Sequence, residues 1–278
     1  MKRINTIILT LMLGASSVLA QPGSVQKVAK SVFTLTTFNK DGAIISSTQG
    51  VFIDNKGTAI STFKPFVGAN KASVVDATGK SYEVEAIMGA DELYDVAKFR
   101  IKANTTAATI AAKETEAGQK VWLVPYSIKK SPFQQENITS VEKFQTSYNY
   151  YIFTTTVPEN AVGCPFVDKN GQVIGLMHSN GQTTAIDANY ARQLKVTGLS
   201  SLDAALRETA IRTALPDTEQ EAMTMMTLKK GQLKMEEYAK YSDEFIEKFP
   251  TSAYGYKEKA IDLVNADKYE EAAKLMET

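Results

Sequence analysis

Gly50-Val51-Phe52-Ile53-Asp54-Asn55-Lys56-Gly57-Thr58-Ala59-Ile60-Ser61 is the stretch that decides the fold. Two short apolar runs flank Asp-Asn-Lys-Gly, whose small polar residues and glycine are the chemistry of a tight turn. Neither run is long enough for a helix, so the stretch reads as strand, turn, strand. Working outward, 31–38 is rich in Thr, Val and Phe and is closed by Asn39-Lys40-Asp41-Gly42. Further strands are predicted at 72–76, 81–88, 96–101, 121–124, 150–156, 166–167 and 173–177. Turn signals at such short intervals from about 25 to 196 mark an all-β barrel or sandwich rather than βαβ units.

The pattern changes after Gly198. Segments 202–215 and 218–249 contain no glycine except Gly231, and apolar residues recur at helical spacing. Leu233, Tyr238, Tyr241, Phe245 and Phe249 predict one buried stripe, which Pro250 ends. A second helical pair is predicted from about 252 onward. Strands followed by helices predict two folded segments, at 21–200 and 201–278. Before them, Lys2 and Arg3, the apolar run 7–13 and Val18-Leu19-Ala20 read as a signal peptide over 1–20, cleaved after Ala20. The mature protein is then expected in the periplasm or secreted. No later segment is apolar enough to span a membrane.

Composition removes other classes. The 31 basic and 31 acidic side chains leave no formal net charge, and no basic stripe is visible, so nucleic acid is not an expected partner. The chain has one cysteine and one histidine, which excludes an internal disulfide and a Cys/His metal cluster. No phosphate-binding glycine loop is present, and no cofactor is expected. Lys129-Lys130 beside Ser131-Pro132 reads as a solvated loop, and Trp122 as a core residue.

Three ordered motifs carry a family resemblance. Gln49 to Asp54 with Gly57, Ile60 and Ser61 is similar to the approach to a catalytic histidine. Asp95-Val96-Ala97-Lys98-Phe99-Arg100-Ile101 is similar to a strand beginning at a catalytic aspartate. Gly163-Cys164-Pro165-Phe166-Val167, with Asn170-Gly171-Gln172-Val173-Ile174-Gly175, is similar to a nucleophile loop and the hairpin after it. Thr184-Ala185-Ile186-Asp187-Ala188 matches the strand near the specificity pocket. Together they resemble the trypsin-like serine proteases, most closely the bacterial high-temperature-requirement branch. The resemblance implies a chymotrypsin/trypsin-like double β-barrel, here followed by an α-helical, repeat-like C-terminal region.

It also implies where a triad should stand, and the chain departs from it. The serine position is Val162, which has no nucleophilic atom, and the histidine position is Lys64. Only Asp95 matches. The chemistry needs a hydroxyl, an imidazole to take its proton and a carboxylate to orient the imidazole, so no intact catalytic site is expected. The alternative is a dyad of Cys164 and His178, the one thiol and the one imidazole. Cys164 lies on the run into Pro165, with its side chain expected to face away from the cleft. His178, just past strand 173–177, reads as a satisfied structural histidine. Lys64 is expected to pair with Asp95; otherwise it extends to solvent and Asp95 bonds to backbone amides.

The tail resembles tetratricopeptide repeats, with Tyr256, Ala260, Leu263, Asp267, Tyr269 and Ala272 at that pattern's positions. A repeat begun near Ala253 would run past Thr278, so a longer natural product is expected; a private helical hairpin is the alternative. The functional expectation is a non-catalytic, trypsin-like binding or scaffolding module whose partner is a protein or peptide. The competing expectation is an endopeptidase using a non-standard site.

Overall fold

The protein is described by a computed structural model over residues 22–128 and 133–277. The predicted signal peptide and the Lys129-Lys130 loop lie outside these residues. A short helix α1 (Gly23–Val28) leads into six strands, β1 (Val32–Phe38), β2 (Ile44–Phe52), β3 (Thr58–Ser61), β4 (Lys71–Val75), β5 (Ser81–Asp91) and β6 (Val96–Ile101). They close into a barrel in the order β1-β2-β3-β6-β5-β4. In β1, Phe33, Leu35 and Thr37 alternate into the interior, as a barrel strand requires.

The second half holds β7 (Lys120–Leu123), β8 (Gln134–Asn137), β9 (Ser140–Phe144), β10 (Tyr148–Ile152), β11 (Pro165–Val167), β12 (Val173–Ser179) and β13 (Thr183–Asp187). These form one curled sheet in the order β8-β7-β11-β12-β13-β10-β9. The double β-barrel is therefore present, with a closed first barrel and a curled half-barrel second. β12 is buried from Val173 to His178, which explains its unbroken apolar run. Trp122 lies in the core between the two halves, with Val124, Val173 and Leu176.

Four turns share one construction. Asn39, Asp54, Asp76 and Asp168 each accept backbone N–H bonds two and four residues ahead. Each is followed three residues later by a glycine at positive φ, Gly42, Gly57, Gly79 or Gly171. The side chain holds the turn closed and the glycine supplies the left-handed residue.

After β13, Asp187 caps α2 (Ala188–Gln193) by accepting from the Asn189 amide. The helical region departs from the sequence expectation in two places. Segment 202–215 is not one helix: only α3 (Ala204–Arg207) is helical, and the chain then runs extended beside β5, with Ile87 donating to the Arg212 carbonyl and accepting from Ala214. Segment 218–249 is two helices, α4 (Glu219–Lys229) and α5 (Met235–Lys248), parted around Gly231 at φ 81°. The helices α6 (Ala253–Asn265) and α7 (Tyr269–Met276) complete the tail.

The change from strand to helix falls near 200, and the packing does not part there. Ala205, Leu206, Ile211, Leu215, Met225, Met226, Tyr241 and Phe245 share one buried cluster with Phe33, Phe52, Phe66 and Phe99 of the first barrel. A half-buried ion network fastens the same seam. Arg100 of β6 binds Glu85 of β5 at 2.8 Å and Glu244 of α5 at 3.0 Å, and Arg212 reaches both carboxylates. Glu244 also accepts from the Leu215 amide at 3.1 Å, so it is fully engaged.

Candidate functional site: the interbarrel cleft

A cleft of about 490 Å³ opens between the two halves. The first barrel contributes Ser46 to Thr48 of β2, Thr62, Lys64, and the β5–β6 loop from Glu92 to Asp95. The second contributes Tyr150 of β10, Glu159, Val162, His178 of β12 and Ile186 of β13. The three positions implied by the resemblance, Lys64, Asp95 and Val162, meet here.

Asp95 is held by backbone. Its Oδ1 accepts from the amides of Phe63 at 2.9 Å and Lys64 at 2.7 Å. The residue adopts φ 50°, a left-handed conformation that Asp tolerates better than most side chains. The Lys64 ammonium stands 4.0 Å from Oδ2, and its side chain is 72% exposed. The expected pair with Asp95 is present, alongside the backbone-amide arrangement that was its alternative. Two amides satisfy the carboxylate, and Lys64 reaches it only at the limit of contact while extending to solvent.

Val162 closes a one-turn 3₁₀ helix, Glu159–Ala161. Its N–H donates to the Glu159 carbonyl at 3.1 Å, and the Ala161 N–H to Pro158 at 2.9 Å. In acyl-transfer sites of this fold the nucleophile's own N–H points at the developing oxyanion. Here that donor is spent inside the loop. The loop is strapped to β2: Thr48 Oγ1 donates to the Val162 carbonyl at 2.9 Å, and the Gln49 amide to the same oxygen at 3.2 Å. Gly163 follows at φ 82°, and a Cβ there would lie 2.1 Å from the Gln49 carbonyl oxygen, so no other residue fits.

The structure separates Cys164 from His178. Cys164 is fully buried in the second core with Phe153, Phe166 and Met177, and burial pushes its thiol far above the ordinary range. It does not line the cleft. Met177 and His178 are successive residues on β12, so their side chains take opposite faces. Met177 joins Cys164 in the core, and His178 reaches the cleft.

His178 is not the satisfied histidine expected from the sequence. It is buried, with 7% exposure, and its Nε2 has no hydrogen-bond partner. Burial lowers its basicity, opposed by the nearby Asp95 carboxylate and reinforced by Lys64. Sequence reasoning missed its position in the cleft. The available signal was its place one step beyond Met177 on an apolar strand, where alternation turns it to the other face. Among the described residues no group of three or more His, Cys, Asp or Glu side chains could hold a metal ion. No described helix is long and apolar enough to cross a membrane.

Comparison with known proteins agrees with this architecture. The family model of the trypsin-like peptidase domain matches residues 48–176. The solved serine endoprotease from Yersinia pestis is similar at 22% identity with a TM-score of 0.52, over 61% of this chain and 63% of that one. The chain thus spans less than two thirds of that relative's length. A search of curated proteins returns no match. The matched segment runs from the Thr48 strap to Leu176 at the threshold of His178, and Lys64, Asp95 and Val162 lie within it: residues 48–176 are similar to the trypsin-like peptidase domain.

Proposed function

We propose that this chain is an exported, non-catalytic member of the trypsin-like fold that holds an extended protein segment in its interbarrel cleft. The observation that carries the reading is position 162. Its side chain has no nucleophilic atom, and its N–H is bonded to Glu159 rather than free for an oxyanion. Lys64 in place of an imidazole supports the same reading, as does the burial of Cys164 away from His178. The cleft keeps open volume and the hydroxyls of Ser46 and Ser47 on β2, which suits hydrogen bonding to an extended backbone.

The helical tail is the second arm of this reading. The α6–α7 face carries Val264, Tyr269 and Met276 largely exposed, an apolar surface of the kind stacked helix pairs bury against a neighbour. Export rests on the charged start, apolar run and small-residue site of residues 1–20. Mass spectrometry of the natural protein should find Gln21 at the N-terminus.

The test of the central reading combines a fluorophosphonate probe, a thiol-directed probe and labelled unfolded casein. Neither probe should react at the cleft, casein should remain intact, and labelled casein fragments should still bind. Casein cleavage that survives Val162→Ala but disappears with Cys164→Ala would overturn the reading in favour of the cysteine–histidine site.

A further inference from the structure

A second groove, of about 510 Å³, lies between β4 and β5 of the first barrel and α4 and α5 of the tail. It shares no lining residue with the interbarrel cleft. Most of its charges are accounted for. Lys71 pairs with Glu83 at 3.1 Å, Arg212 binds Glu85 and Glu244, and Glu237 accepts from the Lys234 amide at the start of α5. Lys229 and Lys240 have no carboxylate within ion-pair distance among the described residues.

Lys229 is the informative one. It is half-buried at the end of α4, with Nζ 5.2 Å from the centroid of the Tyr241 ring. The Arg212 guanidinium carbon is also 5.2 Å from that centroid. Burial lowers the basicity of Lys229, and the neighbouring Arg212 acts in the same direction. The tyrosine face and the helix C-terminus offset part of this cost. No carboxylate offsets the rest. A partly desolvated cation beside a second cation is unfavourable unless an anion shares the space.

We propose that this groove binds an oxyanion group, a carboxylate or a phosphate, between Lys229, Lys240 and Arg212. The guanidinium has donors left for it, since five N–H groups are available and Arg212 makes one contact each to Glu85 and Glu244. The site is independent of the interbarrel cleft, so it stands or falls without the reading given above.

The experiment uses the full chain at ionic strength fixed with chloride. Inorganic phosphate, acetate and two peptides identical except for a free or amidated C-terminus are titrated by calorimetry and by thermal unfolding. At least one oxyanion should bind and raise the Tm. Lys229→Gln should weaken that binding about tenfold and Lys240→Gln about two- to fivefold, while Lys113→Gln, on an exposed loop, should leave it unchanged. Phosphate binding alone assigns the site to a small ion, and preference for the free-ended peptide assigns it to a chain terminus. Without any anion, Lys229→Gln should unfold at the same temperature or higher, because it removes an uncompensated charge. A lower Tm for that unliganded variant, chloride acting as well as the oxyanions, or binding unaltered in both lysine variants would each overturn the proposal.

Discussion

At position 162 the side chain carries two methyl groups and no hydroxyl, and the adjoining N–H is turned into a 3₁₀ bond. Restoring side chains therefore restores only part of the machinery. Val162→Ser and Lys64→His should each remain inert toward casein and fluorophosphonate. The double variant should stay at least about 10²-fold below an intact site, the cost of one missing oxyanion donor. Full activity in the double variant would show that the loop rearranges on its own. His178 offers a separate measurement. Its folded-state basicity lies below the ordinary pKa of about 6.5, so the unfolded chain binds the proton more readily. The associated stability is fully present above that value and is lost as pH falls through the folded one. Urea unfolding should show this loss on going from pH 7 toward pH 5, in a cleft that also holds Lys64, Glu92, Asp95 and Glu159. His178→Gln should flatten that part of the profile, and an unchanged slope would contradict the assignment. The family resemblance picked out Lys64, Asp95 and Val162, and all three line one cleft. The buried orphan nitrogen of His178 was not legible in the sequence, because an unpaired atom is a property of three-dimensional neighbours.

The turns and strands follow from local chemistry, which is why most were legible in the sequence. Asn39, Asp54, Asp76 and Asp168 each build a turn from their own side chain and a glycine three residues on. What failed to show were β8 and β9. Gln134-Gln135-Glu136-Asn137 has no apolar alternation, since β8 is an edge strand with Glu136 alone buried. The extended run from Arg212 to Ala214 read as helix because its apolar residues suit either period once the partner strand is unknown. Gly231 was visible, but buried apolar residues lie on both sides of it, Met225 and Met226 in α4 and Tyr238 and Tyr241 in α5, and they masked its breaking effect. Gly163 gives the sharpest test at this scale. Gly163→Ala places a methyl against the Gln49 carbonyl at φ 82°, and should destabilise the protein by about 3 kcal/mol or more in urea unfolding. A loss below about 1 kcal/mol would mean that the loop and β2 are free to move apart.

The helical tail and the first barrel share a core and the Arg100–Glu85–Arg212–Glu244 network, and should unfold as one body. Glu244→Ala leaves two guanidinium groups short of a partner and should cost about 3–5 kcal/mol, read as a lower urea midpoint of a single transition. Ending the chain at 200 should expose the barrel's face to Leu215, Met225, Tyr241 and Phe245, and give a product that aggregates or lacks a cooperative transition. A monomeric, sharply unfolding 21–200 fragment would contradict this. Sequence periodicity marked the strand-to-helix change correctly and gave no sign of the common core, because amphipathic stripes do not name what they pack against. The seam also sets an order of events during synthesis. The strands of the first barrel are complete at Ile101, yet Arg100 finds its Glu244 partner only 144 residues later. Until that helix leaves the ribosome, the barrel waits with the apolar surface that Leu215, Met225, Tyr241 and Phe245 later cover. This nascent interval is when a holding chaperone has most to do, and a pause placed after α5 should raise the yield of folded protein more than one placed after β6.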